Sequence, residues 1–419
     1  MKFAAYNLDK NLLHNLVTLG FKRPTDIQYK AIPAVLEGED LLAIAQTGTG
    51  KTAAYAIPVI DTFLKRERKL KAGEVRCIVM VPTHELAAQV NSLFSSLTKN
   101  TSLRNFALYG GVSQDPQKES LNKGLDILAA TPGRLFDLAS QGDINFSRVE
   151  VLVVDEADHM LEKGFFNDIT QLVKRLPFKR QTLFFSATID KSIKKLAYKL
   201  VKDAVRIHIS PKDPVSKNVD HSVVHVKMDD KRFFLERIIK GNPKSKLLVF
   251  VRTKVRAERV VKAMHRVDIF AESIHGDKIQ KERSAVLEDF RCGNINVLIA
   301  TDVSARGIDI EGVEYVINYD MPDDPENYVH RVGRTGRGSK RGIALSFCDI
   351  SEQEKLKAVE SYTGKPIPLF DLDEDDYEAA IDLSVDADHD WQKLIDEAVD
   401  NETEFKNGKR KRKKSRKKR

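Results

Sequence analysis

A chain of 419 residues, 42% hydrophobic and 31% charged, has the makeup of a water-soluble globular protein and length for about two to four domains. It holds no apolar run long enough to span a bilayer, and its opening residues, M-K-F-A-A-Y-N-L-D-K, lack the apolar segment of a secretory signal, which argues against membrane and exported classes. The formal charge is +8, but Lys409–Arg419 carries ten of the 69 basic residues and no acidic one, so the remainder sets 59 basic against 61 acidic residues and the basic character belongs to a tail.

In chain order, Leu8, Leu12, Leu13, Leu16 and Val17 fall on one helical face, Gly20 ends that helix, and Pro24 predicts an extended step before a second helix reaching about Leu36. D-L-L-A-I at 40–44 then reads as a buried strand, followed by A-Q-T-G-T-G-K-T from Ala45 to Thr52 and a helical turn expected to stop near Pro58. Strand-like runs recur up to Pro82, Gly110, Pro132, Asp155, Thr188 and Ile209, separated by helix-compatible segments. Continuous apolar strands alternating with helices predict an α/β fold with a parallel sheet covered on both faces, whose ligands bind past the strand C-termini. Ser210–Asn218, with two prolines, reads as a linker. A second strand–helix series, S-V-V-H-V, K-L-L-V-F-V, I-F-A-E-S-I, I-N-V-L-I-A-T, V-E-Y-V-I-N-Y and G-I-A-L-S-F, follows without a phosphate loop of its own. Cys77, Cys292 and Cys348 are far apart, each in or beside an apolar run, and read as buried thiols in a reducing cytosol.

After about Phe370 the composition shifts. Asp371–Phe405 holds 15 acidic residues and the single lysine Lys393, with Trp391, Leu394, Ile395, Ala398 and Val399 spaced as one helix face. It reads either as a solvated spacer or as a docking helix for a protein partner. The basic tail is expected to be disordered and to bind nucleic acid phosphates, with a solubilising role or a nuclear address as the alternatives. If the acidic stretch competes with nucleic acid for that tail, deleting it raises nucleic acid affinity at low salt.

The chemistry concentrates at predicted strand ends. Gly48 and Gly50 let backbone N–H groups reach phosphate oxygens, Lys51 can reach the β- and γ-phosphates, and the Thr52 hydroxyl can ligate Mg²⁺. Ala45 stands where the generic pattern has glycine, so the motif alone also admits a ligand-free turn. Asp155 and Glu156, closing an apolar strand about a hundred residues later, suit a metal carboxylate and a base that orients the attacking water. In the second half, Arg331, Arg334 and Arg337 repeat every third residue; two of them can approach a γ-phosphate across a cleft, or the run is a surface patch.

With its motifs in order, the chain resembles the bacterial-type DEAD-box ATP-dependent RNA helicases over about residues 3–347. The resemblance rests on Phe3, G-F-K-R-P-T-D-I-Q (20–28), A-Q-T-G-T-G-K-T (45–52), P-T-H-E-L-A from Pro82, Gly110-Gly111, T-P-G-R from Thr131, D-E-A-D from Asp155 and S-A-T from Ser186. It continues through F-V-R-T-K from Phe250, Q-K-E-R (280–283), A-T-D-V-S-A-R-G-I-D (300–309) and H-R-V-G-R-T-G-R from His330. The resemblance implies two RecA-like domains, 1–209 and 219–367, with extensions at 368–405 and 406–419, and ATP and Mg²⁺ as ligands. Phe21 would stack on adenine, Gln28 would read its amino edge with Arg23 nearby, and Ala45, Gln46, Thr47, Gly48, Thr49, Gly50, Lys51 and Thr52 would hold the phosphates. Thr52 and Asp155 would hold the metal, Asp309 would meet the ribose, and Arg334 and Arg337 would be the fingers. Thr83, His84, Gly110, Gly111, Thr131, Arg134, Thr253, Arg283 and Thr301 would face RNA through its backbone, hence without sequence preference. Asp158, Ser186, Thr188 and His330 would couple nucleotide to RNA. His84 departs from the family's usual Arg and predicts weaker RNA affinity that strengthens toward pH 6; Ser304 replaces a commoner Ala. The expected protein is a cytoplasmic monomer that unwinds RNA locally. The rival readings are an RNA clamp, an inactive RNA binder and a DNA translocase.

Overall fold

The computed structural model describes residues 2–46, 48–209, 215–305, 310, 312–336, 340–370 and 377–378. Two parallel sheets carry the molecule. The first comprises β1 (Leu41–Ala45), β2 (Val75–Met80), β3 (Asn105–Leu108), β4 (Leu125–Ala130), β5 (Val151–Val154), β6 (Gln181–Ser186) and β7 (Val205–Ile209), in the order β3-β4-β2-β5-β6-β1-β7. The second comprises β8 (Val219–His225), β9 (Lys246–Phe250), β10 (Ala271–Ile274), β11 (Val297–Ala300), β12 (Val313–Asn318) and β13 (Gly342–Cys348), in the order β10-β11-β9-β12-β13-β8. These are two RecA-like halves. Strands such as Leu41–Ala45 and Val151–Val154 are buried along their whole length because helices cover both faces. Alternate residues of one strand feed opposite cores: Leu41 and Ala43 join one apolar cluster, Leu42 and Ile44 the other.

Two expectations need correction. The helix after the phosphate loop does not stop at Pro58 but runs Lys51–Lys65. Pro58 forfeits one backbone bond, yet Ala53–Asp61 are all buried, and packing of that helix outweighs the local penalty. Cys292 is exposed, at the end of the helix Gln280–Cys292, whereas Cys77 and Cys348 are buried. Residues 210–214 of the expected linker, the helix face at Trp391–Val399 and the basic tail lie outside the described residues. Leu369 bridges Val223 on the otherwise open side of β8, through Val223 N–H to Pro368 O at 2.9 Å and Phe370 N–H to Val223 O at 2.7 Å. Beyond it, Tyr377 donates to Asp230 Oδ2 at 2.8 Å. Among the described residues no helix is long and apolar enough to cross a membrane.

Candidate active site and RNA face

β1, β6 and β5 lie side by side, so the segments leaving their C-terminal ends meet. Gly48 and Gly50 adopt φ of 80° and 92°, which glycine takes without the steric cost of a side chain. A Cβ at Gly50 would also lie 2.5 Å from Gln28 Nε2 and would displace that amide. Gln28 closes the N-terminus of the helix Asp26–Glu37: its Oε1 accepts from Thr25 N–H at 3.0 Å while its Nε2 donates to Gly50 O at 3.2 Å. One lone pair and one N–H of that amide are left over, the complement of an adenine edge. Phe21 is half-buried beside Phe3, ring centroids 6.0 Å apart, and Arg23 is exposed. Thr49 Oγ1 donates to Gln46 O at 2.8 Å, shaping the loop.

Lys51 begins the helix and is 7% exposed, and its Nζ is buried without a protein hydrogen-bond partner. A buried ammonium in a glycine loop at a helix N-terminus suits a phosphate. Asp155, at the end of β5, accepts from Tyr55 Oη at 2.9 Å and from Glu156 N–H at 2.9 Å. Burial pushes its carboxyl up to about 6, with Lys51 opposing and Glu156 adding to the rise. A buried carboxylate, with the Thr52 hydroxyl in the first turn of the helix that follows the phosphate loop, fits Mg²⁺, which is usually bound through one or two carboxylates and substrate phosphates. For Glu156 burial also works upward, but His159, Lys51 and Arg334 outweigh it and hold the carboxyl down at about 2. Its backbone is left-handed, φ 50° and ψ 51°, an uncommon state for a side chain of this kind that is over-represented at active sites.

The second half supplies the opposite wall. A cleft is lined by Lys51, Glu156, Asp158, His159, Ala187, His330 and Arg334, among others. Arg334 is 7% exposed, with its Nε donating to His330 O at 3.2 Å. Asp158 Oδ2 accepts from Ala187 N–H at 2.8 Å and Thr188 N–H at 3.1 Å, joining the ends of β5 and β6. The Ser186 hydroxyl beside them is buried without a partner. Arg331, the first of the three spaced arginines, is instead an internal strut: it grips Asp302 through two bonds, 2.5 and 2.7 Å long, and donates to Asp320 O at 2.7 Å. Thr47, Asp309 and Arg337 lie outside the described residues.

The residues expected to face RNA mostly start helices. Thr83 accepts from Leu86 N–H and Thr253 from Arg256 N–H, both at 3.2 Å, opening the helices His84–Leu97 and Lys254–Arg266 at equivalent places in the two sheets. Thr131 precedes the helix Pro132–Ser140, and Arg134 Nη2 donates to Val112 O at 3.0 Å beside Gly110-Gly111. Thr301 Oγ1 lies 2.9 Å from Ser304 Oγ, which is thereby a working hydrogen-bond partner. Arg283 pairs with Glu85 at 2.6 Å, and His84 Nδ1 lies 3.0 Å from Gln280 Oε1; both contacts cross between the halves. Sequence reasoning passed over Tyr55, Glu85, His159 and Gln280. Tyr55 had a signal, since it falls four residues after Lys51 and so on the same helix face; the cross-cleft pairs had none in local spacing.

The family model described as DEAD/DEAH box helicase matches residues 25–196, and that described as helicase conserved C-terminal domain matches 230–339. The ATP-dependent RNA helicase CshA of Listeria monocytogenes is 40% identical over 364 residues, 87% of this chain and 69% of its own length. The ATP-dependent RNA helicase RhlB of Shewanella woodyi is 38% identical over 380 residues, 89% of this chain and 85% of its own length. Among solved structures, Saccharomyces cerevisiae Dbp5 bound to RNA and ADP-BeF3 matches with a TM-score of 0.78 at 28% identity, covering 90% of this chain and 99% of that one. Mss116 bound to single-stranded RNA and AMP-PNP matches at 0.81 and 25% identity, covering 97% and 85%. The phosphate loop, the paired carboxylates and the two RecA-like sheets define an ATP-hydrolysing enzyme of the helicase class. The chain belongs to the DEAD-box ATP-dependent RNA helicases.

Proposed function

We propose that this helicase acts by closing its two halves on an RNA strand, and that closure, completed by ATP, parts short duplexes locally and without processive travel. The observation that carries the reading is the cleft shared by Lys51 and Glu156 from one half and His330 and Arg334 from the other. Neither half alone holds a complete phosphate site. Lys51 and the loop N–H groups bind the β- and γ-phosphates, Glu156 orients and deprotonates the attacking water, and Arg334, with Arg337, balances charge gathering on the γ-phosphoryl oxygens. Thr52 and Asp155 would hold Mg²⁺, which would supply charge neutralisation and orientation of the phosphates. Phe21 and Gln28 select adenine, with Arg23 nearby. Thr47 completes the loop and Asp309 meets the ribose.

The helix starts behind Thr83, Thr131 and Thr253, with Gly110, Gly111, Arg134, Arg283 and Thr301, offer the N–H groups and side chains that hold RNA phosphates and hydroxyls. Asp158, Ser186, Thr188 and His330 join that face to the nucleotide. The tail adds sequence-blind affinity for RNA, and the acidic stretch offers a place for a protein partner. Both walls of the cleft come from one chain, so a monomer suffices, and we place it in the cytoplasm. The test is ATP hydrolysis with and without RNA alongside displacement of a short and a long duplex. RNA-stimulated hydrolysis with displacement of the short duplex only is expected. Stimulated hydrolysis without displacement would mark an ATP-gated clamp, and stimulation by DNA alone would overturn the RNA reading.

A further inference from the structure

We propose that His84 acts as a positioning residue across the cleft, tying the first half to Gln280 of the second when the enzyme closes, and not as a ligand of an RNA phosphate. This rests on closure being the working step proposed above. His84 Nδ1 lies 3.0 Å from Gln280 Oε1. The orientation of that amide is set by its other end, where Nε2 faces Glu85 Oε1 at 3.4 Å, and a carboxylate can only accept. Oε1 is therefore turned to the imidazole and needs a donor, which places the ring proton on Nδ1. A neutral ring with its proton there has only an acceptor at Nε2, and an acceptor repels a phosphate oxygen.

The surroundings hold the ring in this pose. It stacks on Tyr109, centroids 5.6 Å apart and planes 26° from parallel. One helical turn further along the Gln280 helix, Arg283 pairs with Glu85 at 2.6 Å, with only 15% and 5% of the two side chains exposed, so the junction is largely dry. Gly111 makes room for it: at φ +77°, a Cβ there would sit 3.0 Å from Gln280 Cβ. An arginine at position 84, the family's usual residue, would bring a fixed charge in place of this hydrogen-bonded tie.

The experiment uses the full chain with a fluorophore pair across the cleft, titrated with AMP-PNP in the presence of a single-stranded oligouridylate, together with the salt dependence of oligouridylate affinity at pH 7.5. His84→Ala and Gln280→Ala should each raise the half-closing nucleotide concentration about fivefold, the factor one net hydrogen bond gives. The double variant should be no worse than either single, the mark of a shared contact. His84→Asn, whose amide N–H can replace Nδ1–H, should regain most of the closure. His84→Ala should leave the slope of log affinity against log salt unchanged, and His84→Arg should steepen it by about 0.7. Single effects that multiply in the double variant, or a shallower salt slope in His84→Ala, would overturn the tie. A parent chain that fails to close on RNA and nucleotide would overturn the closure reading itself, an outcome visible before any variant is compared.

Discussion

Asp155 and Glu156 are adjacent in sequence and opposite in electrostatics. For Asp155 the folded carboxyl sits at about 6 against an ordinary 3.8, chiefly through burial. The folded state therefore binds its proton more tightly. The stability this gives is complete below pH 3.8, falls as pH rises toward 6, and above 6 the buried charge costs about 3 kcal/mol. Asp155→Asn should accordingly raise the melting temperature of the nucleotide-free protein at pH 7.5 by about 2–5 °C while abolishing hydrolysis, and the gain should vanish toward pH 4. An unchanged melting temperature at pH 7.5 would mean that Lys51 already compensates the charge. Glu156→Gln keeps the shape in the left-handed turn and removes the base. Hydrolysis should fall by about 10²–10⁴ while nucleotide-dependent RNA binding persists, measured by single-turnover hydrolysis and by anisotropy. That these two carboxylates matter was legible from D-E-A-D. That one is pushed up and the other down was not, because Tyr55 and Arg334 reach them only through the tertiary fold, even though His159 lies one helical turn from Glu156.

At the level of elements, Gln28 links two motifs that the sequence presents separately. It completes the cap of the helix Asp26–Glu37 and fastens Gly50 of the phosphate loop. Gln28→Ala should therefore lower stability by about 1 kcal/mol through the lost cap. It should also weaken ATP binding by about tenfold or more through the freed loop and the lost adenine contact. Thermal melting and nucleotide titration separate the two effects; intact stability with weakened ATP would show that the cap is redundant. Strands were the most legible elements, since runs such as V-L-V-V have no polar residue to place elsewhere. The helix running through Pro58 was not, because local propensity there argues for a stop and only the burial of its neighbours reverses it. The inward turn of Arg331 was illegible for the same reason: its spacing matches Arg334 and Arg337, but the partners that draw it inward, Asp302 and Asp320, come from other strand ends.

For the whole molecule, a near-neutral body and a basic tail divide the work between shape and charge. Ending the chain at Gly408 should leave RNA-stimulated hydrolysis in place at low salt and flatten the salt dependence of RNA affinity by about 3 or more in log–log slope, since up to ten cationic side chains are lost. Stimulation lost together with the tail would make the tail part of the working RNA site. Where such a deletion is made matters for another reason. The pairing of Leu369 with Val223 covers a flank of β8 whose backbone groups otherwise face outward. A chain ending before Pro368 would uncover a ready template for strand addition between molecules. Such a protein should self-associate with rising concentration in light scattering, whereas one ending after Phe370 should stay dispersed. The three residues that precede the acidic stretch thus act as a guard against aggregation, a service to solubility unconnected with ATP or RNA.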